Sequence, residues 1–117
     1  MKTFVNCSNH PSASWERSQI TAAETYGPIV DVPFPNVPPM KDETEIAGMA
    51  DAYMEEIMKH DPAAVMCQGE FTLCFEVVKR LNRIGIPVMA ACSERKTTET
   101  EGKKISEFSF VRFRRYM

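Results

Sequence analysis

Gln68-Gly69-Glu70-Phe71-Thr72 is the stretch whose residue types and spacing best suit chemistry. A glycine lets backbone approach a ligand closely. The N–H groups of Glu70, Phe71 and Thr72 would open a helix, and a helix dipole favours an anion at that end. A phosphate there would be held by backbone and by the Thr72 hydroxyl. The competing reading is a tight turn at Gly69 followed by a helix cap at Thr72. Glu70 suits a general base or a partner for a sugar hydroxyl, and equally a plain first-turn helix acid. Ser8-Asn9-His10 brings a hydroxyl and an imidazole, and histidine suits acid–base work. A lone loop histidine also serves structure alone. Ser93-Glu94-Arg95 brings a guanidinium fork that matches phosphate, or simply a surface charge. No GxGxxG or Walker pattern is present, so no ordinary nucleotide cofactor is indicated.

Cys7, Cys67 and Cys92 each close an apolar run. Three separate strand ends do not supply the chelating pair on one loop that metal sites use, so no metal is expected. The four cysteines show no CxxC spacing, and no secretory signal precedes them. The expectation is reduced thiols in a cytoplasmic protein. His60, at a helix end, is assigned no chemistry.

These groups need elements to carry them. Thr3 to Cys7 reads as a buried strand, followed by a turn-rich loop from Ser8 to Ser12. Ser12 or Ser14 is expected to cap a helix bearing Trp15, Gln19, Ala22, Ala23 and Tyr26 on one side. Gly27-Pro28 ends it, and Ile29 to Val32 is the second strand. Pro33 to Pro39 holds four prolines, which make a stiff, extended connection. Asp42 with Glu45 three residues on resembles a capping box. Behind it Ile46, Met49, Ala50, Tyr53 and Ile57 mark an amphipathic helix that ends near His60. The methionines of this helix, Met49, Met54 and Met58, suit core and subunit contact.

Ala63 to Cys67 is the third strand. A helix is then expected from Phe71 to Ile84, with Phe71, Cys74, Phe75, Val78 and Leu81 turned inward. Ile86 to Cys92 is the fourth strand, Ser93 to Lys104 a polar, turn-like stretch, and Ile105 to Tyr116 the last strand. In that last strand Phe108, Phe110, Arg112 and Arg114 alternate against Ser109, Val111 and Phe113, as on a sheet edge. The alternation of strands and helices implies one Rossmann-like α/β domain over residues 1–117. Its expected sheet order is 2-1-3-4-5, mostly parallel, with an antiparallel C-terminal edge strand. Ligands of such sheets bind beyond the carboxyl ends of the strands, where the order reverses. The loops after strands 1, 3 and 4 would therefore be neighbours.

The formal net charge of −2 gives no global sign of long nucleic-acid binding. Acidic residues crowd Asp42 to Asp61, and Lys103, Lys104, Arg112, Arg114 and Arg115 gather near the C-terminus. That unevenness fits a local anion site, or two solvated faces of opposite sign. No apolar run reaches membrane-spanning length.

Four segments carry a family resemblance: Asn6-Cys7-Ser8-Asn9-His10, Gln68 to Thr72, Gly85 to Arg95, and Phe108 to Tyr116. Together they resemble the small CRISPR-associated proteins related to ring nucleases and to CRISPR-associated Rossmann-fold (CARF) sensor domains. The resemblance implies a homodimer that binds a cyclic oligoadenylate across its two-fold axis. It also implies metal-independent cleavage, in which a ribose 2′-OH attacks the adjacent phosphorus and leaves a 2′,3′-cyclic phosphate. On that reading Ser8, Asn9 and His10 orient the 2′-OH or protonate the leaving oxygen. The third helix start and Arg95 hold the phosphate, and Glu70 takes a proton or fixes a ribose. Gln68, Gly69, Phe71, Thr72, Ser93 and Glu94 complete the ligand contacts, with no cofactor. The rival readings are a non-catalytic sensor, a deoxyribosyltransferase-like enzyme with Glu70 as nucleophile, and an interaction protein that presents its Arg-rich last strand.

Overall fold

A computed structural model describes residues 1–117. Its five strands are β1 (Thr3–Cys7), β2 (Ile29–Asp31), β3 (Pro62–Cys67), β4 (Val88–Thr100) and β5 (Lys103–Arg115). Its helices are α1 (Arg17–Glu24), α2 (Glu43–Met58) and α3 (Phe71–Arg83). The sheet order is β2-β1-β3-β4-β5, parallel except for the antiparallel β4–β5 pair. The expected α/β architecture is therefore present. No helix is long and apolar enough to cross a membrane.

The sheet separates two cores. On one face α2 and α3 cover Val5, Cys7, Val65, Cys67 and Val88. On the other, Phe4, Ala64, Met66 and Met89 pack with Ala23 of α1, Trp15 and Phe113. Alternate strand residues point to opposite faces, which is why Phe4 and Val5 serve different cores. α2 begins with the expected capping box: Glu45 N–H donates to Asp42 Oδ1 at 2.9 Å, and Asp42 N–H donates to Glu45 Oε1 at 3.3 Å. Arg80 of α3 ties the two helices together, reaching Asp51 of α2 and Glu76 one turn back, each at 2.9 Å.

Three local expectations are corrected. Neither Ser12 nor Ser14 caps α1. Ser12–Ser14 instead form a short 3-10 turn, and the Ser12 N–H and hydroxyl donate to Asp31. The inward face of α3 is Leu73, Cys74, Val77, Val78 and Leu81, while Phe71 and Phe75 are 90% and 64% exposed. The helical phase that buries Leu73, Val77 and Leu81 at i, i+4, i+8 rotates the two phenylalanines out.

The third correction is the largest. The stretch from Ser93 to Thr100 is the distal half of β4, and Lys103–Ile105 opens β5. Glu101 and Gly102 join them, with φ of 53° and 75°. Two successive positive φ values make the turn whose twist matches paired strands, and Gly102 adopts the second without steric cost. The result is an arm that projects beyond the sheet. The radius of gyration of 15.8 Å reflects it, since a compact domain of this length would have about 13.4 Å.

Candidate functional site

A cleft of about 450 Å³ opens at the carboxyl edge of the sheet. Met66 of β3 and Ala91 of β4 line it from the sheet. His10, Ser14, Trp15, Glu16 and Gln19 form one wall, and Ser93, Phe108 and Phe110 of the arm form the other, with Gln68 between them.

A bulge brings the arm aromatics here. Cys92 pairs with Arg112 but Ser93 pairs with Phe110, which leaves Val111 as the extra residue. Past an extra residue the inward and outward sets exchange. Directly opposed residues share a face, so Phe110 and Phe108 lie on the same side as Ser93 and Arg95. Strict alternation would have put both phenylalanines with Arg112 and Arg114, and the bulge corrects that expectation. Phe110 is anchored at 4.9 Å from Phe113, whose ring is 5.1 Å from Phe4 and 6.4 Å from Trp15. Its N–H donates to Glu16 Oε2 at 3.3 Å. Phe108 remains 67% exposed at the rim.

The opposite wall is fixed by a buried polar network. Asn6 is buried in mid-strand, and its amide nitrogen donates to Asp31 Oδ1 at 3.0 Å and to the His10 carbonyl at 2.9 Å. Asn6 Oδ1 accepts from the Ser8 hydroxyl at 2.7 Å, and the His10 N–H donates to Ser8 Oγ at 3.2 Å. Trp15 Nε1 donates to the same His10 carbonyl at 3.0 Å. Every buried polar side-chain atom is satisfied, so the loop after β1 has one defined shape. That loop presents His10 to the cleft.

Gln68 spans to the neighbouring strand, where its Oε1 accepts from Ala91 N–H at 2.8 Å. The bond fixes which end of the amide is which and leaves Nε2 as a donor at the cleft.

Of the residues singled out from sequence, His10, Gln68 and Ser93 line this cleft. The others fall elsewhere. Ser8 is buried within the network behind the loop, and Asn9 is exposed. A Cβ on Gly69 would sit 2.5 Å from the Phe34 ring, so the absence of a side chain there admits Phe34 of the Pro-rich segment. Glu70 is the N-cap of α3. Its carboxylate accepts from Thr72 N–H and Leu73 N–H, both at 2.9 Å, and from the Thr72 hydroxyl at 2.6 Å. The Thr72 hydroxyl, then the backbone donors, hold the Glu70 carboxyl below the usual carboxylate range. The helix start expected to cradle phosphate thus already holds a carboxylate.

Phe71 and Thr72 face a separate hollow of about 570 Å³ at the starts of α2 and α3, with Lys41, Glu43 and Phe75. That hollow takes no residue from the sheet. Arg95 stands opposite Phe108 on the arm and donates to Ser106 Oγ at 3.0 Å. Glu94 pairs with Ser109 and points to the other face of the arm. No group of three or more His, Cys, Asp or Glu is arranged to hold a metal ion.

Ser14, Trp15, Glu16, Gln19, Met66, Ala91, Phe108 and Phe110 are the lining residues that sequence reasoning did not place in the site. The signals were present in Thr97, Thr98 and Thr100, β-branched residues before Glu101-Gly102, which mark a hairpin rather than a loop.

Fold and cleft together define a doubly wound α/β domain whose carboxyl-edge cleft is closed on one side by a hairpin arm. Residues 2–114 match the model of the uncharacterized protein MJ1673 family, and the chain belongs to that family. No curated protein and no solved structure matches it.

Proposed function

We propose that this protein binds a cyclic oligoadenylate, with a nucleotide unit seated in the cleft between Trp15 and the arm. The observation that carries the proposal is the aromatic lining at the carboxyl edge of a parallel sheet. Aromatic faces stack on bases, and such stacking is worth about 1–3 kcal/mol per base. Polar groups flank the rings in a pattern that suits adenine. Gln68 Nε2 is a donor for a ring nitrogen, and Glu16 is an acceptor for an exocyclic amine. Arg95, on the same face as Phe108, gives the neighbouring phosphate a cation. The cleft volume of about 450 Å³ fits one nucleotide unit, not a whole ring. A ring therefore needs a second cleft, supplied by a homodimer with its two-fold axis through the ligand. The sequence resemblance to CRISPR-associated ring nucleases and CARF domains supports the ligand class.

Binding without cleavage is the favoured form of this reading. Of Ser8, His10, Glu70 and Arg95, the residues to which the resemblance gives catalysis, only His10 lines the cleft. The buried Ser8 hydroxyl and the exposed Glu70 carboxylate are already engaged in the protein's own hydrogen bonds. A metal-independent ring nuclease would rely on His10 for proton transfer and on the cleft for in-line placement of the 2′-OH. The deoxyribosyltransferase reading loses its nucleophile, because Glu70 caps α3 and Asp31 is bonded to Ser12 and Asn6. Incubation with cyclic tri-, tetra- and hexa-adenylate in EDTA, followed by mass spectrometry, separates the two forms. Rings recovered intact but retained by the protein are expected. Linear products ending in 2′,3′-cyclic phosphate would make it a nuclease. Rings neither cut nor retained would remove the ligand class.

A further inference from the structure

We propose that Cys67 and Cys74 are a redox-modifiable thiol pair, closed to a disulfide by a peroxide or a small-molecule disulfide. Cys67 ends β3 and Cys74 lies in the first turn of α3, with the Gln68–Glu70 turn between them. Their sulfur atoms are 3.5 Å apart. Cys67 is fully buried and Cys74 is 8% exposed, so an oxidant meets Cys74 first. The hydrogen bond with Cys67 holds the Cys74 thiol down, to about 7. The same bond, with burial, pushes the Cys67 thiol up. The pair thus divides into an attacking sulfur and a resolving one.

The Cys74 thiolate attacks one peroxide oxygen, the O–O bond breaks, and hydroxide leaves a sulfenic acid on Cys74. Cys67 sulfur then bonds to Cys74 sulfur, and the sulfenic oxygen departs as water with the Cys67 proton. The two thiols are oxidised by two electrons, and the peroxide is reduced to two waters. With a small disulfide, two exchanges give the same bridge and two free small thiols. Closing the sulfur separation to about 2.05 Å draws the first turn of α3 toward the end of β3. The turn between them carries Gln68, whose amide lines the cleft.

The test uses the full, pre-reduced chain under native conditions. It is treated with hydrogen peroxide or glutathione disulfide and then denatured, its remaining thiols, the buried Cys7 included, are alkylated, and it is digested with trypsin. Cys67 and Cys74 fall in one fragment, between Lys59 and Lys79. We expect that fragment to lose two hydrogens, about 2 Da, and to regain them with a reductant. Cys7 and Cys92 should still take the alkylating label. C74S should abolish the loss, and if C74S does not fold, the wild-type mass change decides alone. Full alkylation of both cysteines after oxidant treatment would overturn the proposal. So would oxidation that halts on Cys74 as a sulfinic acid with no bridge.

Discussion

Glu70 and Asn6 show how single side chains were read in part. Glu70 was legible as a carboxylate at a helix start, and catalysis and capping both fit that position. Its carboxylate accepts from three donors, the Thr72 N–H, the Thr72 hydroxyl and the Leu73 N–H, and these decide for capping. Glu70→Ala should cost about 1 kcal/mol at neutral pH, read from urea midpoints. The depressed carboxyl sets the sign of the pH effect. Its contribution is present above the ordinary carboxylate range and is lost as pH falls through the lower folded-state value. The gap between wild type and variant should therefore narrow on acidification, and a constant gap would mean that the charge contributes nothing. Asn6 was not legible, because a polar residue inside the run Thr3 to Cys7 gives no sign of what it binds. Its partners come from Asp31 on β2 and from the loop after β1. Asn6→Ala should destabilise by about 1–3 kcal/mol in urea unfolding, because it strands buried partners. A variant as stable as wild type would show that the network holds nothing. At the cleft rim, Phe108→Ala and Arg95→Ala remove exposed side chains. Stability should stay within about 0.5 kcal/mol of wild type by thermal melting.

At the scale of elements, α2 was legible throughout, since Asp42, Glu45 and the periodic apolar residues all belong to one helix. The phase of α3 was not. Phe71 and Phe75 are spaced as well for burial as Leu73 and Val77 are, and only the packing against β3 and α2 chooses between them. The arm was hidden for a different reason. From Ser93 to Lys104 its residues are polar on both faces, so hydrophobic alternation, the usual strand signal, is missing there. The bulge at Val111 then shifts the apolar set of β5 by one position. Gly102→Val tests the arm directly. A β-branched residue is a poor fit to a φ of 75°. The amides of Thr98 and Ile105 should then exchange faster with deuterium, while those of β1 and β3 keep their protection. Unchanged exchange in the arm would mean that the turn does not hold it.

At the scale of the whole molecule, the sheet order and the single antiparallel edge strand followed from the alternation of strands and helices. The carboxyl edge was legible as the place where a cleft opens. Of the residues that line it, His10, Gln68 and Ser93 were legible, while Trp15, Glu16, Gln19, Phe108 and Phe110 were not, because they converge only where β5 packs beside α1. A homodimer whose two clefts share one ring should sediment at twice the chain mass, and a monomer at all concentrations would confine the ligand to a single nucleotide unit. The most direct test is calorimetric titration of cyclic tri-, tetra- and hexa-adenylate into wild-type protein and Phe108→Ala, with EDTA present. We expect saturable binding of at least one ring by the wild type, and affinity at least about tenfold weaker in the variant. No binding of any ring, or equal affinity in both proteins, would contradict a nucleotide site between Trp15 and the arm.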